Sequence, residues 1–181
     1  DFFTLAQVEP ELMERTLTCN GMSKAFCMTG WRIGFAGGTE PLIRAMAKLQ
    51  GQSTFHPATI SQHAALAGLN GDRDFLVEHL QEYRERRDTV VRQLNFIDGI
   101  DCALPDGAFY VFPSCVGLFN HLTPDGRCLS NDTDVATYLL DTAKVTVVPG
   151  EAFGFSGHFR ISYATSIELL REACERIMLA C

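Results

Sequence analysis

Residues 20–34 read NGMSKAFCMTGWRIG, and they hold the side chains best suited to chemistry. Lys24 directly follows Ser23 and stands eight residues before Arg32, with Gly21, Gly30 and Gly34 around them. Glycine suits tight backbone close to a ligand. A serine hydroxyl and an arginine fork can hold a phosphate, which leaves the lysine amine for covalent chemistry. The combination points to a carbonyl cofactor that carries a phosphate: pyridoxal phosphate, bound to Lys24 as a Schiff base. Residues 26–31 are largely apolar, and desolvation beside Arg32 favours the neutral, nucleophilic amine. Each residue alone also has a plainer role: Lys24 as a solvated charge, Ser23 as a turn or cap residue, Arg32 as half of a structural ion pair.

The elements that must position these groups follow from the surrounding pattern. Residues 16–19 and 31–36 are β-prone and closed by glycines, so Lys24 is expected in a loop between two strands, where catalytic groups are often carried. A helix is expected over 40–49, capped by Thr39 with Pro41 in its first turn, and a small, apolar one over 58–69. A longer helix over 74–96 shows a stripe of Phe75, Leu76, Leu80, Tyr83, Val90, Val91 and Leu94, with residues 82–88 as its solvated, charged face. Residues 101–113 predict a strand, a Pro-Asp-Gly turn and a second strand. Then come a helix over 134–142, β-prone runs at 145–148 and 158–164, and a glycine-rich loop over 149–157 between them. Ser166 caps a terminal helix with Leu169, Leu170, Ala173 and Ile177 on one side. The strands before residue 80 are too few for a complete covered sheet.

Composition sets the bounds. With 181 residues and 46% hydrophobic side chains, the chain can bury a core without metal or disulfide staples. A net charge of -7 argues against non-specific nucleic-acid binding, and no apolar run approaches membrane-spanning length. Seven scattered cysteines without a C-x-x-C read as thiols in a reducing cytosol. Five histidines without ligand spacing predict no metal site. The chain opens on Asp1 and runs into Phe2-Phe3-Thr4-Leu5, which reads as an internal fragment or a processed product.

The run SKAFCMTGWRIG is similar to the cofactor-lysine signature of class I/II aminotransferases, the aspartate aminotransferase family of fold type I. Three further segments resemble that family in the same order: PDGAFYVFP (105–113), VTVVPGEAFG (145–154) and FRISYATS (159–166). The resemblance implies that Lys24 carries pyridoxal phosphate and, once the substrate amine displaces it, shuttles the proton between the substrate α-carbon and the cofactor C4′. It implies Ser23 and Arg32 on the cofactor phosphate and Arg160 on the substrate α-carboxylate. Phe109 and Tyr110 resemble aromatics that close over substrate, or else are core. Gly150 and Gly154 would let the loop before Arg160 bend close to the site. Trp31 reads as packing, and Ser61 and Gln62 as neighbours of a subunit interface.

The implied fold class is α/β, the C-terminal part of fold type I. Residues 1–85 would end the large mixed-sheet domain, and 86–181 would form an α+β small domain. The implied function is transamination between an amino acid, aspartate-like or of broad type, and a 2-oxo acid, in a cytoplasmic homodimer without nucleic-acid or membrane partners. The family's aspartate on the pyridinium nitrogen, its asparagine and tyrosine near the 3-oxygen, and its glycine-containing phosphate loop all lie upstream of the lysine. The isolated chain is therefore expected to be inactive or nearly so. A β-lyase or synthase on the same fold stays open. So does a non-catalytic truncated or binding fragment whose exposed sheet edge needs a partner.

Overall fold

The computed structural model describes residues 3–124 and 126–181. Asp1 and Phe2, which entered the expectation of an internal start, lie outside the described residues. The chain divides into two compact units, one running to Leu76 and the other Val77–Cys181. The division falls near the start of the long helix, upstream of the boundary expected at residue 85.

In the first unit, helix α1 (Leu5–Val8) and a 3-10 turn (Pro10–Arg15) precede an antiparallel pair, β1 (Thr18–Gly21) and β2 (Gly34–Gly37). Helix α2 (Glu40–Ser53) has Thr39 at its N-cap, but the expected side-chain cap bond is not made there. Arg44 instead pairs with Glu40 one turn away, the geometry that brings i and i+4 together on a helix. Helix α3 (Thr59–Asn70) follows, and α4 (Asp74–Leu94) begins in this unit. Among its described apolar side chains only Met22 and Ala65 are buried, while Leu42, Met46, Leu49, Ile60 and Leu66 are exposed.

The second unit holds the core. Its sheet has the order β3 (Tyr110–Val111), β5 (Phe159–Ser162), β4 (Val148–Pro149), all antiparallel. Phe159 and Ile161 of β5 point inward, against Val90, Val91 and Leu94 of α4 and Leu170, Cys174 and Ile177 of helix α6 (Ile167–Ala180) within one buried cluster. Successive strand residues face opposite sides, so Arg160 and Ser162 lie on the other face of the sheet. Helix α5 (Asp132–Tyr138) continues as a π-helical turn (Leu139–Ala143), and the Tyr138 hydroxyl donates to the Ala180 carbonyl at 2.7 Å. After α4, Asn95 exchanges two hydrogen bonds with the Cys102 backbone, which holds the chain as it leaves the helix.

Several expectations change. Residues 101–113 do not form two strands: the first is a single bridge, Asp101 to Ser114, and residues 106–109 form a bend. The charged face of α4 is not uniformly solvated. Arg86 lies 5.2 Å from the Tyr83 ring centre and pairs with Glu82, and Arg87 donates to the Pro105 carbonyl, so both stems are half-buried. Leu80 and Leu169 are exposed, and the buried residues of α6 are Leu170, Cys174 and Ile177. The Ser166 cap forms as expected, its hydroxyl accepting from the Leu169 amide. Among the described residues no helix is long and apolar enough to cross a membrane.

Candidate functional site

The lysine loop is built by the hairpin that carries it. In β1 and β2, Asn20 faces Phe35 and Gly21 faces Gly34. The Met22 amide then donates to the Ile33 carbonyl at 3.3 Å. Ser23 and Arg32 are therefore the residues just beyond this last cross-strand bond, one on each side, at the same end of the pair. The strands approach closely there. A methyl group on Gly34 would lie 3.0 Å from the Asn20 carbonyl oxygen, and one on Gly21 3.4 Å from that of Ile33. Glycine permits the approach because it has no Cβ.

Beyond Ser23 the loop turns on itself. The Cys27 amide donates to the Lys24 carbonyl at 3.0 Å, and the Met28 amide to the Met22 carbonyl at 3.2 Å. Cys27 and Arg32 both take left-handed backbone, at φ 53° and 48°. Non-glycine residues seldom adopt this conformation, and it tends to cluster at functional loops. Two side chains pin the loop to α3. Met22 is fully buried, and a methyl on Gly68 would meet its Cε at 3.1 Å and the Phe26 ring at 3.3 Å. Phe26 also sits edge-on to Phe75, with ring centres 6.0 Å apart.

The three chemistry-bearing residues of this loop stand differently. Ser23 is half-buried, while Lys24 and Arg32 are exposed. One Arg32 Nη donates to the Thr29 carbonyl at 2.8 Å, which fixes the fork. Met22 and Phe26, rather than Lys24, point into the packing. Trp31, expected to pack, is 42% exposed. Ser61 is buried and Gln62 donates to the Pro57 carbonyl.

Arg160 belongs to the second unit. It pairs with Val148 across β4–β5, and Tyr110 pairs with Ser162 across β3–β5, so Tyr110 is its diagonal neighbour on one face. The Arg160 Cζ lies 4.5 Å from the Tyr110 ring centre and 4.7 Å from that of Phe153. Among the described residues no carboxylate pairs with it. Tyr110 thus lies against the arginine, while Phe109 tilts against Tyr110 at 4.3 Å.

The loop before Arg160 bends at its glycines. The Gly150 amide donates to the His158 carbonyl at 2.7 Å, and a methyl on Gly150 would sit 2.1 Å from the Phe155 carbonyl oxygen. Gly154 ends the 3-10 turn Gly150–Phe153 at φ 72°. Asp132, fully buried at the start of α5, accepts from the Glu151 amide at 2.8 Å and ties this turn to the helix.

Sequence reasoning did not find Met22, Phe26, Gly68, Phe153 or Asp132. Phe153 offers one signal, an aromatic residue inside a glycine-rich loop. Asp132 sits in an N-D-T-D run that reads as ordinary helix capping.

The chemistry of the donor set fits a phosphate-bearing aldehyde. A hydroxyl and a fixed guanidinium flank the end of a hairpin whose loop carries a primary amine. An unpaired arginine on a strand suits a carboxylate. The architecture is that of the fold-type-I transferases, α/β with a lysine-bearing loop between strands.

The chain matches the family model "Aminotransferase class I and II" over residues 1–177, and it belongs to that family. It is 57% identical over 180 residues to the aspartate aminotransferase of Rhizobium meliloti (strain 1021), covering 99% of this chain and 44% of that protein. It is 51% identical over 181 residues to the aspartate/prephenate aminotransferase of Cereibacter sphaeroides, covering 100% and 45%. The solved aspartate aminotransferase of Rhizobium meliloti superposes with a TM-score of 0.96 at 56% identity, covering 99% of this chain and 45% of that one. The Thermus thermophilus aspartate aminotransferase with maleate superposes at 0.86 and 41% identity, covering 99% and 44%. The chain spans less than half the length of the curated relatives it matches.

Proposed function

We propose that this chain is the C-terminal portion of a pyridoxal-phosphate-dependent aminotransferase that moves an amino group between an aspartate-like amino acid and a 2-oxo acid. The observation that carries the reading is the hairpin end, where Ser23 and Arg32 flank the loop that presents Lys24. The first unit then contributes to the large cofactor domain and the second forms most of the small one, in a cytoplasmic homodimer.

When bound, the cofactor supplies an electrophilic aldehyde carbon and a ring that draws electron density from the substrate α-carbon. The Ser23 hydroxyl and the Arg32 fork would hold its phosphate by charge-assisted hydrogen bonds. Lys24 Nζ would provide the covalent attachment and, once displaced by the substrate amine, would move the proton at the substrate α-carbon. Arg160 takes the substrate α-carboxylate edge-on. The Tyr110 and Phe153 rings beside it favour the cation without competing for its N–H groups.

The two arginines have separable roles. In the full-length protein, Arg32→Gln should weaken pyridoxal phosphate binding and leave the substrate KM of the saturated enzyme little changed. Arg160→Gln should raise KM for both substrates roughly a hundredfold with cofactor affinity retained, as expected for a lost bidentate charged pair. Equal effects of both variants on cofactor affinity would contradict the assignment.

A further inference from the structure

Arg160 stands on the outward face of a central strand, held at the backbone by β4 on one side and β3 on the other. Its guanidinium is flanked by two rings from different elements, Tyr110 on β3 and Phe153 on the turn Gly150–Phe153. Phe153 is itself braced. Its ring meets Phe112 nearly edge-on, with centres 5.9 Å apart and planes at 78°. Its turn is anchored by the buried Asp132 carboxylate on the Glu151 amide, and by Gly150 wedged under the Phe155 and His158 carbonyls.

Flanking rings restrict a long side chain that would otherwise sample many rotamers, and that ordering cost falls on ligand binding when it is not met beforehand. A ring beside a guanidinium offers its π-face and no hydrogen-bond acceptor in the plane of the N–H groups. The in-plane edge therefore stays open to a planar, bidentate anion.

We propose that Tyr110 and Phe153 form an aromatic clamp on Arg160, acting as positioning residues that pre-set its guanidinium edge for the α-carboxylate common to every substrate. The inference rests on the reading of Arg160 as the carboxylate-binding residue. Because the α-carboxylate is shared, the clamp sets the affinity for all substrates together and does not choose among side chains.

The test uses the full-length protein loaded with pyridoxal phosphate, with KM and kcat measured for several amino acids and 2-oxo acids of different side chains. Phe153→Leu and Tyr110→Leu keep apolar bulk and remove the π-face. Each should raise KM roughly tenfold. The factor should be the same for every substrate, with kcat within about threefold and cofactor affinity unchanged. Phe153→Trp and Tyr110→Phe restore a π-face and should return KM to near the parent value. If both leucine variants keep the parent KM while Arg160→Gln raises it, the clamp is overturned and the carboxylate reading stands. A factor that varies with the substrate side chain also overturns the clamp. If Arg160→Gln itself leaves KM unchanged, the underlying assignment fails and the clamp with it.

Discussion

The thiols illustrate how position, more than residue type, sets reactivity. Burial pushes the Cys102 thiol up to about 11 and the Cys174 thiol to about 11. Burial, with the Asp132 charge nearby, pushes Cys115 up to about 12. The thiolate is the reactive form, so a disulfide reagent at neutral pH should label exposed Cys19, Cys27 and Cys128 well before these three. The same shifts have a sign for stability. A raised folded-state pKa means that the unfolded chain loses its protons first as pH rises. The contribution is complete below about pH 9 and is lost towards pH 11–12. Denaturant titrations across that window should show falling stability, and Cys115→Ser should flatten part of the decline. The place of Lys24 in a loop between two strands was legible in the sequence because β-prone, glycine-closed runs flank that short segment. The exposure of Lys24 was not, because the apolar residues around it spend their burial on Met22 and Phe26 at Gly68.

Among the elements, the loop before Arg160 depends on one glycine. A Cβ on Gly150 would lie 2.1 Å from the Phe155 carbonyl oxygen and 2.9 Å from that of His158, both backbone atoms without freedom to swing aside. Gly150→Ala should destabilise the second unit by about 2 kcal/mol or more, read as a lowered urea midpoint. Gly68→Ala meets the Met22 and Phe26 side chains instead, which must give by a few tenths of an ångström, and should cost about 1 kcal/mol. Its larger effect should be displacement of the Lys24 loop, read as weakened cofactor binding. Helices α4 and α6 were legible from their apolar stripes, α6 also from its Ser166 cap, α2 from Pro41 in its first turn and α3 from its small, apolar composition. Of the run 101–113 only the first strand was misread: Asp101 makes a single bridge to Ser114, and Cys102 is buried in the core without a ladder, while the second strand forms as β3. The Phe153–Arg160 pairing was invisible because it links a turn to a strand through space, with no spacing rule to betray it.

At the scale of the whole molecule the two units differ in what they bury. Val77–Cys181 encloses a continuous cluster from Val90 to Ile177, whereas the unit running to Leu76 buries only Met22 and Ala65 among its described apolar side chains. Stability follows burial of this kind. Limited proteolysis of the 181-residue chain should therefore cut first before Leu76 and leave a fragment close to Val77–Cys181. Equal resistance of both units would contradict this. The poor burial of the first unit agrees with the sequence-based expectation of too few strands for a covered sheet. Attachment of the cofactor to Lys24 is checked by reducing the pyridoxal-phosphate-loaded full-length protein with borohydride and mapping the digest by mass. The cofactor mass should appear on the peptide containing Lys24 and disappear in Lys24→Ala. Label on Lys48 or Lys144, or undiminished label in the variant, would contradict it.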